Sequence, residues 1–128
     1  MSDRPELPLR PIIASIFAGP FAGVKVATKA PNPLPAKWIK VERSGGGDQW
    51  AIDQPLVILQ FYAPNDVECE QMALRARGVL VGAQGHIHAG AIVLGWSTVG
   101  GPHNFPDVDS TPVRDRWQMT GELGIATA

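Results

Sequence analysis

The sequence is poor in charge and in thiols, and each shortage argues against a class of function. Charged residues make up only 18% of the chain, with 11 basic residues against 12 acidic ones. Because this balance creates no general attraction to phosphate backbones, we do not expect sequence-specific nucleic-acid binding. The single cysteine, Cys69, excludes an internal disulfide and a paired-cysteine redox or zinc motif.

Long apolar runs are also missing. The one segment that resembles a secretory signal, RPIIASIFAGPFAGV at residues 10–24, is interrupted by Gly19 and Pro20 and lacks a clean cleavage site. This segment is too short to span a bilayer. We therefore expect a soluble, unexported protein that does not contact a membrane.

The residues that are present predict one folded domain over residues 1–128, because 45% of them are hydrophobic. Apolar residues at helical spacing predict a helix from Leu9 to Phe17, and the capping pair Asn65 and Glu68 opens a second. Alternating patterns predict strands in the segments 23–30, 36–43, 50–64, 86–99 and 116–128. This order predicts an α+β fold: one mainly antiparallel sheet of four to five strands with two helices packed on one face.

Two polar segments interrupt these elements. The glycine-rich stretch Ser44–Gln49 reads as a flexible hairpin loop. Residues 99–117, VGGPHNFPDVDSTPVRDRW, carry three aspartates and three prolines and read as a stiff, extended arm. Because a stiffened segment loses little entropy when it binds, we predict that both segments, the second over Pro102–Pro112, contact other proteins.

Residues suited to chemistry are sparse. His86 and His88 would share one face of a strand and, with His103, would form a metal site, which leaves a small metal-dependent enzyme as an alternative. A catalytic role for Asp107 and Asp109 would require a desolvated cleft. The glycine-rich loop lacks the lysine and the Ser/Thr of a phosphate-binding loop. We predict no catalytic residue, no cofactor and no metal.

Apolar residues in consecutive positions predict self-association. Leu56–Leu59 and Ala91–Leu94 would leave apolar groups exposed on a sheet that is covered on one face, and copies packed in a closed ring would bury them. Among the four tryptophans, Trp96 and Trp117 fit the core. For Trp38 and Trp50, an interface role and a local packing role both fit.

Three segments resemble the tail terminator, or minor tail protein, family of long-tailed bacteriophages, especially those that infect actinobacteria. The resemblance covers residues 10–126 and includes the segment FYAPNDVECEQMALRARGVL. Its first motif is strand, P-x-x-x-P, strand, Arg-x-Gly-Gly. Its second is a GGP…PD…D…P-R run, in which Val113 separates proline from arginine where the family has them closer. The matching residues are Pro31, Pro35, Arg43, Gly45, Gly46, Gly100, Gly101, Pro102, Pro106, Asp107, Asp109, Pro112 and Arg114.

This resemblance implies a non-enzymatic assembly protein of the virion, assembled in the host cytoplasm. Tail terminators form a hexameric ring on the head-proximal end of the tail tube, stop its polymerisation and join the head-neck connector. The implied partners are other copies of this chain, the major tail tube protein and the connector, and DNA would pass through the ring. A stopper or neck protein of the same virion remains an alternative. The predicted interface residues are Trp38, Arg43, Asp48, Gln49, Trp50, His103, Asp107, Asp109, Arg114 and Arg116.

Overall fold

The computed structural model describes residues 7–49 and 52–128 and has the predicted α+β architecture. Within these residues, two helices and six strands follow one another. In chain order they are α1 (Leu9–Phe17), β1 (Lys25–Ala27), β2 (Trp38–Gln49), β3 (Ile52–Tyr62), α2 (Asp66–Gly82), β4 (Ile87–His88), β5 (Ala91–Asn104) and β6 (Arg116–Thr127).

Both helices lie where the apolar spacing predicts them. In α1 the residues at helical spacing are buried, and Pro8 and Pro11 lie at its start, where a missing N–H costs little. At the start of α2, the Asn65 side chain accepts a hydrogen bond from the Glu68 N–H at 2.9 Å, which confirms the predicted cap. The buried stripe of α2 consists of Cys69, Met72, Ala73, Ala76 and Leu80.

The sheet has six strands in the order β1-β2-β3-β6-β5-β4, rather than four to five. The predicted strand at 86–99 is divided because Ala89 and Gly90 both adopt positive φ and form a tight turn between β4 and β5. Strand β1 pairs with β2 in parallel, and the other four strand pairs are antiparallel.

Parts of both predicted polar segments, the glycine-rich loop and the arm, belong to strands of the sheet. Ser44–Gln49, predicted to be a flexible loop, belongs to β2, and its ladder with β3 continues to the pair Gln49 and Ile52 after a register shift between Arg43 and Gly46. The glycines that suggested a loop permit this bulge in a strand. Likewise, β5 extends through Pro102 to Asn104, so the arm comprises only residues 105–115.

The two faces of the sheet differ. Strand residues such as Val41, Leu59, Met119 and Ile125 share one face by register and pack with both helices into one buried hydrophobic cluster. The opposite face carries neither of the two helices found in the described residues, and we call it the helix-free face. This agrees with helices packed on one face only.

Gly46 is the tightest point of the β2 bulge and gives a sharp stability test. A methyl group there would lie within 3.0 Å of backbone atoms of Gln54, Pro55 and Leu56, and its φ is +107°. We expect Gly46→Ala to lower the free energy of unfolding by about 3 kcal/mol, from backbone strain plus overpacking. The neighbouring Gly45 has φ +80° and no atom within 4 Å of the position that an alanine Cβ would take, so it is the matched control: Gly45→Ala should cost only about 1 kcal/mol. Equal effects in urea denaturation would contradict the described bulge.

Candidate interaction surface

One end of the helix-free face carries a continuous row of apolar side chains. The ladder places Ile52 opposite Ala126, Ala126 opposite Ile92, and Ile92 opposite Ile87. Because directly paired residues point to the same side of a sheet, these four side chains line up across four strands. Ile87 is 64% exposed, and the other three are half-buried. We call these four residues the apolar row.

A shallow groove of about 480 Å³ borders the apolar row. Ile52 belongs to both, and Leu94 and Gly124 line the groove beside it. The groove also reaches Val81, 55% exposed at the end of α2, so it extends from the helix-free face to the helix side of the sheet. The consecutive apolar residues of β5 therefore contribute to an accessible apolar surface, as their sequence suggested.

The other end of the helix-free face is covered by aromatic packing. The rings of Trp38 and Tyr62 stack in parallel, with centroids 4.6 Å apart. They are paired across β2 and β3 and are only 2% and 5% exposed. Of the two roles that fitted Trp38, its burial and its stacking on Tyr62 favour local packing, and its place in an interface stays a prediction.

The base of the arm is fastened to Tyr62. The Tyr62 hydroxyl donates to Asp107 at 3.2 Å and accepts from the Arg116 guanidinium at 3.1 Å, while the Arg114 guanidinium lies 5.2 Å from the centre of the ring. Burial raises the pKa of Tyr62 above its ordinary value, and the hydrogen bond from Arg116 opposes the rise. We call Tyr62, Asp107, Arg114 and Arg116 the Tyr62 clamp.

Backbone pairing continues from the sheet into the arm. Phe105 N–H donates to Arg116 C=O and Asp107 N–H to Arg114 C=O, each at 2.9 Å. Beyond this ladder the tip, residues 108–113, projects with Val108 72% and Val113 60% exposed. The predicted extended polar arm is therefore a hairpin with a fixed base and an exposed tip that includes two apolar side chains.

No model of a known protein family matches this chain, and no curated protein matches it. Neither α1 nor α2, the helices of the part of the chain that the structure describes, is long and apolar enough to cross a membrane.

Six of the ten predicted interface residues form two groups at opposite ends of the sheet. Four of them, Trp38, Asp107, Arg114 and Arg116, meet around Tyr62. The backbone of Asp48 and Gln49 lies at the other end, next to Ile52 of the apolar row, and Trp50 lies outside the described residues.

The remaining three predicted residues lie elsewhere. Arg43 donates to both carboxylate oxygens of Asp53, at 2.6 and 2.8 Å, and is half-buried. His103 is exposed near the end of β5, and Asp109 is exposed on the arm tip. The internal ion pair gives Arg43 a structural role, whereas His103 and Asp109 are available for contacts.

The three histidines of the alternative metal site are not brought together. His88 Nδ1 lies 2.9 Å from the Ser15 hydroxyl of α1, while His103 lies near the far end of β5 and bonds Gly101 C=O at 3.0 Å. Among the side chains that the structure describes, no three from His, Cys, Asp or Glu are grouped so as to hold a metal ion. The geometry therefore does not assemble the site that the metal-dependent alternative required.

Tyr62 and the apolar row are the parts of this surface that sequence reasoning missed. The sequence feature that could have identified Tyr62 is its position at the end of a long strand, where it pairs with Trp38 on the neighbouring strand. The signal for the row was the presence of Ile52, Ile87 and Ile92 next to strand ends. Neither signal is informative until the strand order is known, because the four row residues come from four separate strands.

Cys69 lies on the buried stripe of α2, and its reactivity should report this. Burial raises the pKa of its thiol from 9.0 to about 11. At pH 8 the thiolate fraction is then about 0.1% rather than about 10%, so we expect alkylation by iodoacetamide to be at least ~100-fold slower than for a free thiol. The rate should rise about tenfold per pH unit up to pH 10 and become fast in denaturant. Rapid labelling of the folded chain at pH 8 would contradict the burial of this thiol.

Proposed function

We propose that this chain is a tail terminator of a long-tailed bacteriophage. Copies of it form a ring on the head-proximal end of the tail tube, end tube polymerisation and provide the joint to the head-neck connector. The protein acts as a structural component of the virion and carries out no reaction. Its proposed partners are other copies of itself, most simply in a hexamer, the major tail tube protein and the connector.

The apolar row is the observation that carries this proposal. It places apolar side chains next to one another across four strands at one end of the sheet, with Ile87 on the edge strand 64% exposed, and a lone chain leaves this surface in water, where it risks aggregation. Burial against an identical neighbour removes this surface from water. Because the row lies at one end of the sheet and the arm at the other, each copy has different surfaces for its two neighbours. Such head-to-tail contacts generate a ring when the rotation closes.

The proposed mechanism is geometric. One face of the ring repeats the contacts that a tube subunit offers, so the ring docks on the last layer of the tube. The other face offers no tube-like surface, so no further subunit is added. Binding energy from many copies acts at once in such a ring, which makes a weak contact per copy sufficient. The sequence resemblance over residues 10–126 supports this assignment.

Electron microscopy of phage particles made without this chain tests the proposal. We expect tail tubes of irregular, excessive length that carry no heads, and restoration of normal tails when the wild-type chain is supplied. Tails of normal length that fail to join heads would instead identify a neck protein and overturn the proposal. The tail length therefore separates the two virion roles that the sequence left open.

A further inference from the structure

We propose that the arm tip of one copy packs on the apolar row of the next copy, and that this contact, repeated head to tail, holds the ring together. This contact rests on the proposed ring and identifies the residues that would form it. In this contact, Val108 and Val113 of one copy pack against the apolar row and the bordering groove of the next copy.

The arm tip has the chemistry of a docking element. Val108 and Val113 flank the polar turn Asp109–Pro112 and are the most exposed apolar residues of the arm, at 72% and 60%. In the free chain their apolar surface is in water. Insertion into an apolar groove would remove it, while the polar turn between them would stay solvated at the rim.

The acceptor offers matching apolar surface. Ile87 is 64% exposed, and Ile52 connects the row to the groove beside Leu94. The row itself consists only of isoleucine and alanine side chains, so it sets no charge against the valines. Glu122 of the bordering groove and Asp109 of the tip carry like charges, so we expect added salt to strengthen the contact modestly by screening their repulsion.

The tip cannot reach the row of its own chain. Ile92 of the row and Asn104 at the end of β5 pair with Ala126 and Trp117, which lie nine residues apart on β6, a span of about 30 Å. The Tyr62 clamp holds the base of the arm at the far end of the sheet. A contact between tip and row is thus a contact between copies, with different surfaces on each partner, as head-to-tail assembly requires.

The clamp also prepares the arm for binding. The backbone hydrogen bonds of the arm, together with the hydrogen bonds of the Tyr62 hydroxyl with Asp107 and Arg116, fix the base of the arm before a partner binds. Only the tip then has to be ordered on association, which reduces the entropic cost of the contact. The four predicted interface residues around Tyr62 would therefore position the arm rather than contact the neighbouring copy themselves.

Cross-linking between two single-cysteine additions tests the contact. Val108→Cys and Ile87→Cys are made in separate chains, mixed and treated with a short bismaleimide, and the native Cys69 stays silent because it is buried with a raised pKa. We expect cross-linked dimers from the mixture and none from either variant alone. A chain that carries both substitutions should give a ladder of bands that ends at the size of the ring.

Serine substitutions at the tip provide an independent readout. Val108→Ser combined with Val113→Ser should weaken self-association at least tenfold in sedimentation experiments. Val99→Ser is the matched control, since Val99 is 64% exposed on β5 and outside the arm. We expect this control to associate like the wild-type chain. Equal weakening by control and tip variant would argue against the arm contact.

The outcomes separate this contact from the proposed function. Val108→Cys chains that cross-link to one another would indicate a two-fold contact and overturn the head-to-tail arrangement. Failure of the mixture to cross-link while light scattering shows an intact ring would refute the arm contact and leave the ring standing. A wild-type chain that forms no ring, alone or on tail tubes, would refute both.

Discussion

Replacing Trp38 by alanine should lower the free energy of unfolding by about 3–5 kcal/mol, as expected for removal of a fully buried tryptophan. The indole is 2% exposed and stacks on Tyr62 with centroids 4.6 Å apart. Its removal leaves a cavity. It also loosens the packing of the Tyr62 side chain, to which the base of the arm is hydrogen-bonded. Urea denaturation followed by far-UV circular dichroism measures this change.

Trp38→Phe is the matched control, because phenylalanine keeps an aromatic ring that can stack on Tyr62. We expect it to cost less than half as much as the alanine variant. A small effect of both substitutions would show that Trp38 is not packed as described. It would also restore the alternative in which this side chain contacts another protein.

Ile87→Glu should weaken self-association by about 100-fold, or about 2–3 kcal/mol per contact. The wild-type side chain is 64% exposed in the single chain and would be buried in the ring. Glutamate removes this gain and requires a carboxylate to leave water without a partner. Because the residue lies at the surface, the free energy of unfolding of the single chain should change by less than about 0.5 kcal/mol.

Leu74→Glu is the control for a general effect of added negative charge. Leu74 is 46% exposed on α2, on the side of the sheet opposite to the apolar row. We expect normal association for this variant and shorter-lived or absent rings for Ile87→Glu. Loss of association in both variants would mean that net charge, rather than the row, controls assembly.

The sequence was sufficient for the elements whose pattern is local. The helix stripe of α1, the Asn65 cap of α2 and the alternation in β6 each depend on neighbouring residues, and each was found in the expected place. Two local signals gave wrong predictions. The glycines of Ser44–Gln49 suggested a loop but form a bulge within β2, and the turn at Ala89–Gly90 was missed because alanine seldom adopts positive φ.

The candidate surface could be predicted only in part because it depends on strand order. Consecutive apolar residues in β3 and β5 pointed correctly to a sheet with apolar surface on its second face. The apolar row needs four strands in a specific register, and the Tyr62 clamp joins residues that lie 45 and 54 positions apart. A composition of prolines and aspartates indicated an arm, but its attachment to Tyr62 follows from tertiary packing.

Light scattering of the purified wild-type chain over a range of concentrations tests the central claim most directly. If the apolar row is covered by a neighbouring copy in a closed ring, the mass should rise with concentration and reach a plateau, at six chains if the family resemblance holds. A closed dimer would contradict the claim, because two copies related by a two-fold axis cannot extend head to tail. A mass of one chain at every concentration would contradict it as well.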